Sequence, residues 1–140
     1  MSNSINLSIL IPLIPLGMTL FMFILLRSFN TTINRLTKPV SYLIISSILI
    51  SSLLSLFFLS NHIEGKVLMS TYFSFLDHSG IELHLNKFNE EILLISGVIS
   101  SLILGYSVLK LPRQKGYVLY VIFIGLITSF INAFLLVLDF

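Results

Sequence analysis

The sequence predicts an all-α membrane protein with four transmembrane helices and a short β-hairpin in the loop between helices 2 and 3. Hydrophobic residues make up 56% of the 140 residues and charged residues only 10%, which is too few charges to cover the surface of a soluble domain. The apolar residues fall into four blocks separated by short charged segments. A stretch of alternating apolar and polar residues stands just before the third block. We expect one membrane domain over residues 1–140.

The first apolar block covers residues 5–26 and is long enough to cross a bilayer. Pro12 and Pro15 lie in its first half, and Gly17 follows them. Because proline has no amide hydrogen and clashes with the preceding turn, the block predicts a bent first helix. A broken helix of the kind that binds ions in transporters is the alternative interpretation. The polar lead before the block has no lysine or arginine, so no cleavable signal peptide is expected.

Three further spans follow, over residues 40–60, 92–109 and 117–138. The third contains eighteen uncharged residues, which make about 27 Å of helix, close to the thickness of the hydrocarbon layer. Pro39 stands at the start of the second span, and Pro112 follows the third span and stops it. Prolines therefore mark the start of the second span and the end of the third.

A β-hairpin is predicted over about residues 69–85. Residues 81–85 alternate strictly, because Ile81, Leu83 and Leu85 are apolar while Glu82 and His84 are polar, which is typical of a half-buried strand. An apolar segment over residues 69–76 precedes them. The four residues between, Asp77 to Gly80, are turn formers, so we expect a four-residue connection.

The distribution of basic residues predicts the orientation of the helices. The first and third loops hold six of the eight lysines and arginines, and the hairpin loop holds the other two. Short loops rich in lysine and arginine stay on the cytoplasmic side. We therefore expect the first and third loops on the cytoplasmic, stromal or matrix side, with both termini and the hairpin on the periplasmic or lumenal side.

Three of the predicted helices carry small residues at four-residue spacing, which places them on one helix face. In lipid, close backbone approach along small residues drives helix association. We interpret these stripes as helix-packing positions, either within this bundle, which is favoured for any single stripe, or against a partner subunit. Asn132, beside the last stripe, is expected to face protein. The stripes are Ser47, Ser51 and Ser55; Gly97, Ser101 and Gly105; and Gly125, Ser129 and Ala133.

The sequence predicts no catalytic residue, no bound cofactor and no metal site. None of the four predicted spans contains an ionisable side chain of the kind that forms proton and ion pathways. The histidines His62, His78 and His84 are interpreted as exposed loop residues, because their spacing matches no compact metal-ligand pattern. Glu90 and Glu91 precede the third span, where acids favour the positive end of a helix dipole. A structural role is favoured there over a proton site.

Nucleic acid is not an expected partner. The net charge is +2, but the basic residues are confined to short loops at the ends of apolar blocks. The chain has no cysteine, which excludes disulfides and thiolate ligands. The composition therefore points to the lipid bilayer as the surrounding of this chain.

Three short segments resemble a known family. They are LIPLIPLG over residues 10–17, NTTINR over residues 30–35 and LILGYS over residues 102–107. In this order they are similar to the N-terminal part of the antiporter-like chain-5 subunit of respiratory complex I and of its plastoquinone-reducing relatives. The chain departs from the family where Asn86-Lys87-Phe88-Asn89 replaces an Asp-Pro-Leu-Ser type entry, and where residues 111–115 break the pattern after the third helix.

The resemblance implies a place in a membrane complex rather than independent pumping. In the family, proton transfer depends on further helices, so no proton-path residue is carried over to this chain. The expectation is a truncated or accessory, non-catalytic membrane subunit of an NAD(P)H–plastoquinone or ubiquinone oxidoreductase, with other membrane subunits as partners. Its location would be a bacterial inner or thylakoid-type membrane. The alternative is a stand-alone scaffold or assembly protein that associates through its small-residue helix faces.

Overall fold

The computed structural model describes residues 6–68, 75, 81–110 and 116–138. A 3₁₀ turn over Asn6–Ile9 leads into the first of five α-helices and two strands in the described residues. Four of the helices are long and apolar enough to cross a membrane, with mean hydropathies of 2.2 to 2.5. This confirms the predicted fold class. The elements are α1 (Leu10–Ser28), α2 (Asn30–Arg35), α3 (Thr37–Ser60), β1 (Gly65–Leu68), β2 (Glu82–Leu85), α4 (Lys87–Lys110) and α5 (Tyr117–Val137).

The four long helices form a bundle in which α3 and α5 have the most central positions. Helix α3 packs against α1 and α4, helix α5 packs against the same two helices, and α3 and α5 also touch each other. The short helix α2 connects α1 to α3 and contacts both of them. Every long helix therefore buries one side against protein, and the rest of its apolar surface faces outward.

The two strands form an antiparallel pair, with Gly65 opposite Leu85 and Leu68 opposite Glu82. The second strand lies where the alternating residues predicted it. Its partner, however, is formed by residues 65–68, which come before the predicted first strand. The predicted strand over 69–76 and the predicted turn over 77–80 lie outside the described residues, apart from Phe75.

Strand β2 is more enclosed than its alternation predicted. Leu83, His84 and Leu85 are all buried, with His84 only 8% exposed. The interpretation of His84 as an exposed loop residue is therefore wrong. The physical reason is that the first turn, α4 and α5 all contact β2, so the strand is covered on more than one face.

Helix α4 begins earlier than the uncharged run that was predicted to cross the membrane. Its first residue is Lys87, five positions before Ile92, and the amide of Glu90 already donates to the carbonyl of Asn86 at 3.0 Å. Glu90 and Glu91 therefore belong to the first turns of the helix. Pro39 is the third residue of α3, where a missing amide hydrogen removes no helical hydrogen bond.

The core of the bundle is divided into two apolar clusters. One lies near the two basic loops and the other near the strands, with polar and small side chains between them. The loop-end cluster is formed by Met22, Ile33, Val40, Ile44, Ile48, Leu104, Tyr117, Val118, Val121 and Ile122. The hairpin-end cluster is formed by Ile9, Ile11, Phe58, Leu83, Leu85, Leu93 and Leu136.

Candidate functional site

Between the two apolar clusters, a serine of α3 takes the place of a backbone donor that α1 lacks. Pro15 lies inside α1, and because proline has no N–H, the carbonyl of Ile11 one turn earlier receives no helical hydrogen bond. The hydroxyl of Ser51 donates to this carbonyl at 2.5 Å. The proline bend predicted from sequence is thus compensated by a side chain forty residues away.

Asn132 extends this contact to the remaining two helices. Its amide Nδ2 donates to Ser51 Oγ at 3.4 Å, and its Oδ1 accepts from the hydroxyl of Ser96 on α4 at 3.2 Å. Asn132 is 2% exposed and faces protein, as the sequence predicted. Ile11, Ser51, Asn132 and Ser96 therefore form one hydrogen-bonded polar cluster that includes all four long helices.

The serine stripe of α3 lies entirely inside the bundle. Ser47, Ser51 and Ser55 are all buried. Ser47 and Ser55 donate to carbonyls of their own helix, those of Ile44 at 2.7 Å and Ser51 at 3.3 Å. A serine that bonds its own backbone satisfies its polar group without a partner. Only Ser51 of the three makes a contact with another helix through its hydroxyl.

The other two stripes each combine a closely packed glycine with less enclosed positions. At Gly97 of α4, an added Cβ atom would collide with the Ser52 hydroxyl of α3, and at Gly125 of α5 with the methyl group of Thr19 on α1. At Gly105 an added Cβ atom would meet nothing within 4 Å. Ser129 is buried, whereas Ser101, Gly105 and Ala133 are half-buried. That these residues drive helix association stays a prediction.

A groove of about 310 Å³ lies between α4 and α5. Five isoleucines line it, together with the hydroxyl residues Ser96, Ser100 and Thr128. The hydroxyl of Thr128 donates to that of Ser100 at 3.1 Å, so the polar groups of the groove are bonded across it. The α4–α5 contact is therefore more open than the α3–α4 contact at Gly97.

At the hairpin end, Asn89 joins three elements. Its Nδ2 donates to the carbonyl of His84 in β2 at 3.0 Å and to that of Leu138, just after α5, at 3.1 Å. Its Oδ1 is buried and accepts no hydrogen bond. The sequence analysis did not single out Asn89 for this role, because its two partners are backbone carbonyls that leave no signal in the sequence.

Glu90, next to Asn89, is buried rather than exposed. Only 1% of its surface is accessible, and its Oε1 has no hydrogen-bond partner. Glu91, by contrast, is half-buried. The two acids that the sequence treated as equivalent therefore have different surroundings.

The described histidines, His62 and His84, have different surroundings. His62 is exposed, and the Nε2 atom of His84 lies 4.0 Å from Glu82 Oε2. His78 lies outside the described residues. Within the described ranges, no three histidine, cysteine, aspartate or glutamate residues are grouped so that they could hold a metal ion.

The chain is similar to a subunit of a quinone oxidoreductase. Over 139 residues it is 31% identical to NAD(P)H-quinone oxidoreductase subunit 5, organellar chromatophore 1, of Paulinella chromatophora. The similarity covers 96% of this chain but 21% of that relative, so the chain spans about a fifth of the relative's length. No protein-family model matches the chain.

The similarity to this relative and the four apolar helices both indicate a membrane environment. The relative is named as a subunit of a quinone oxidoreductase, and the helices of this chain are long and apolar enough to cross a membrane. The chain is an integral membrane protein whose outward-facing helix surfaces contact lipid. Its similarity extends over almost all of its length, which includes α1, α3, α4 and α5.

Proposed function

We propose that this chain is a non-catalytic membrane subunit or accessory protein of a complex-I-like NAD(P)H–plastoquinone or ubiquinone oxidoreductase. In this proposal it corresponds to the N-terminal part of the proton-translocating subunit 5. The observation that carries the proposal is the 31% identity to such a subunit over 96% of the chain. Partners would be other membrane subunits of the same complex, and the chain would contribute helices to its membrane part.

The chemistry of the bundle interior supports a non-catalytic role. Between the two apolar clusters, the polar side chains of Ser51, Asn132 and Ser96 bond to one another and to the carbonyl of Ile11. Residues 92–109 of α4 contain no aspartate, glutamate, lysine, arginine or histidine, the side chains that form proton pathways in membranes. The polar cluster is therefore suited to holding helices together.

The proposal includes an orientation in the membrane. Arg27, Arg35 and Lys38 lie at the ends of α1, α2 and α3 that face the first loop, while the strands lie at the opposite ends. By the positive-inside rule, the first and third loops would lie on the cytoplasmic or stromal side. The termini and the hairpin would lie on the periplasmic or lumenal side of a bacterial inner or thylakoid-type membrane.

Native electrophoresis in mild detergent tests this proposal. A tagged chain expressed in its own host is expected to migrate with a large assembly that oxidises NADH or NADPH in the gel, and mass spectrometry of that band should identify other quinone oxidoreductase subunits. An equally tagged, unrelated four-helix membrane protein controls for comigration by chance.

The same experiment distinguishes the proposed subunit from the alternative function. A stand-alone scaffold or assembly protein would migrate in a small band that contains only its own copies, or would join the complex during assembly and leave it before completion. Pulse-labelling followed by electrophoresis distinguishes these cases, because a subunit stays in the mature band throughout the chase. Absence from that band at every time would contradict the proposed subunit role.

A further inference from the structure

A glutamate at the hairpin end of the bundle has surroundings that do not suit a structural cap. Glu90 lies in the first turn of α4, before Ile92, where the uncharged run that crosses the membrane begins. It shares the buried face of α4 with Asn89, Leu93 and Gly97. Glu90 is 1% exposed, and the favourable effect of a helix dipole on an acid is too small to offset the cost of burying an unpaired charge.

Among the residues that the structure describes, the charged groups around Glu90 offer it no cationic partner. Glu64, just before β1, acts on it electrostatically as a like charge. Strand β2 contributes Glu82 and His84, which lie 4.0 Å from each other, and β1 contributes Lys66, which is exposed. The first turn, α5 and the adjoining half of α3 carry no charged residue.

On its own helix, Glu90 has Lys87 and Glu91 as charged neighbours. Lys87 is exposed and Glu91 is half-buried. Oε1 of Glu90 accepts no hydrogen bond, and within the described residues the carboxyl group is in no ion pair. An ionised carboxylate that is buried without a donor or a counter-charge is much less favourable than the neutral acid.

The residue beside Glu90 in the sequence also has a buried oxygen without a partner, Oδ1 of Asn89. A protonated carboxyl group gains an O–H donor, which an ionised one lacks. The described residues contain no group of three or more metal-ligating side chains. The ligand that this site fits best is therefore a proton.

We infer that Glu90 is a proton-binding site on the hairpin side of the bundle. The carboxylate takes up a proton from water on the hairpin side and becomes a neutral carboxylic acid. It later releases the proton to the same side. Because α4 has no lysine, arginine, aspartate, glutamate or histidine between Ile92 and Leu109, the site exchanges protons without passing them across the membrane. The inference rests on this chain's own residues and is independent of the complex to which the chain belongs.

Carbon-13 NMR of the full chain in lipid nanodiscs tests the inference. The chain has four glutamates, Glu64, Glu82, Glu90 and Glu91, so labelling of the glutamate carboxyl carbons gives few signals. The triple variant Glu64→Gln, Glu82→Gln, Glu91→Gln leaves Glu90 as its single glutamate. This variant assigns the Glu90 signal. In the wild-type chain, the Glu90 signal is expected to keep its protonated position at a pH at which a free glutamate side chain is ionised.

The titration midpoint of Glu90 decides the result. We expect it to lie above that of a free glutamate side chain by more than about one pH unit, the ordinary scatter of carboxyl groups in folded proteins. Glu90→Gln should remove the late-titrating signal, and the matched variant Glu91→Gln should leave it in place. If Glu90→Gln does not fold, the triple variant still assigns the Glu90 signal, and its midpoint is read in the wild-type chain, because Glu64 acts on Glu90 there. A Glu90 midpoint equal to that of a free glutamate side chain, or a Glu90 signal that stays ionised throughout, would overturn the inference.

Discussion

Helix α4 packs against its two neighbours in opposite ways, although small residues are present on both sides of it. Towards α3, its backbone at Gly97 lies so close to Ser52 that an added methyl group has no space. Towards α5, isoleucines and hydroxyl residues leave a groove of about 310 Å³. The number of small residues on a helix face therefore does not decide how closely that face packs.

The geometry of the helix explains why Gly97 and Gly105, two residues of one stripe, have different surroundings. A step of four residues turns a helix by about 400°, so a four-residue stripe drifts by about 40° at each step. From Gly97 to Gly105 the drift is about 80°. The first of these glycines faces α3, while the second has nothing within 4 Å of an added Cβ atom. The same residue type in the same stripe thus contacts protein at one end and open space at the other.

The largest effect is expected for Gly97→Ala. The new methyl group would displace the Ser52 hydroxyl, which donates to the carbonyl of Ile48 at 3.0 Å, and would press on the Ser52 Cβ. Overpacking of this kind costs about 1–3 kcal/mol. Thermal unfolding in detergent, followed by circular dichroism, should show a clearly lower midpoint than the wild-type chain.

A second substitution tests the cause. Ser52→Ala removes the hydroxyl that the new methyl group would meet, so the double variant Gly97→Ala, Ser52→Ala should recover part of the lost stability. If Gly97→Ala alone had the same unfolding midpoint as the wild-type chain, α3 and α4 would not be closely packed at Gly97.

An intermediate effect is expected for the contact between Ser51 and the carbonyl of Ile11. Ser51→Ala leaves that carbonyl without a donor because residue 15 is a proline. In the Pro15→Ala background the amide of residue 15 supplies the donor, so Ser51→Ala should cost less there. The coupling free energy is expected to be about 0.6–1.7 kcal/mol, the range of interhelical hydrogen bonds in membranes.

The double-mutant cycle cancels the effects that each substitution has independently of the other. The contact of Ser51 with Asn132 is lost in both backgrounds and therefore cancels. Ser47→Ala is the matched control, since Ser47 lies on the same stripe but bonds the carbonyl of Ile44 in its own helix. If Ser47 and Ser51 show equal coupling free energies with Pro15, then Ser51 does not act by bonding the free carbonyl of Ile11.

The smallest effect is expected for Gly105→Ala. The added methyl group meets nothing within 4 Å, and alanine is favoured over glycine in a helix by up to about 1 kcal/mol. The unfolding midpoint should therefore stay near the wild-type value or rise slightly, in contrast to Gly97→Ala on the same helix. A loss as large as that of Gly97→Ala would indicate that Gly105 is covered by another copy of the chain, and unfolding at several protein concentrations would reveal this.

Part of this structure could be predicted because it depends on local signals. The four helices follow from apolar runs long enough to cross a bilayer, and strand β2 follows from strict alternation. The partner strand was predicted over residues 69–76, whereas the structure has it at Gly65–Leu68. Those four residues have no alternation that distinguishes them from their neighbours. The stripes of small residues were recognised, but not which glycines are in close contact.

Glu90 and Asn89 show most clearly where sequence reasoning ended. Two adjacent acids before an apolar run look equivalent in a sequence, because nothing local tells which of them points inward. The helix started earlier than the uncharged run, and that earlier start placed Glu90 on the buried face with Leu93 and Gly97. Asn89, in turn, is joined to β2 and to the end of α5 through backbone carbonyls, which leave no signal in the sequence.

The sequence by itself determined that this chain enters a membrane with four helices, because the cost of exposing an unpaired backbone to lipid leaves an apolar run of that length almost no other structure. It also determined that the carbonyl of Ile11 has no helical donor, which follows from the missing amide hydrogen of Pro15. Only the tertiary structure decided which hydroxyl replaces that hydrogen, which glycine meets a neighbouring helix, and which glutamate is enclosed. These depend on the rotation and register of one helix against another, and apolar helices in lipid have few charges or turns that would specify either in advance.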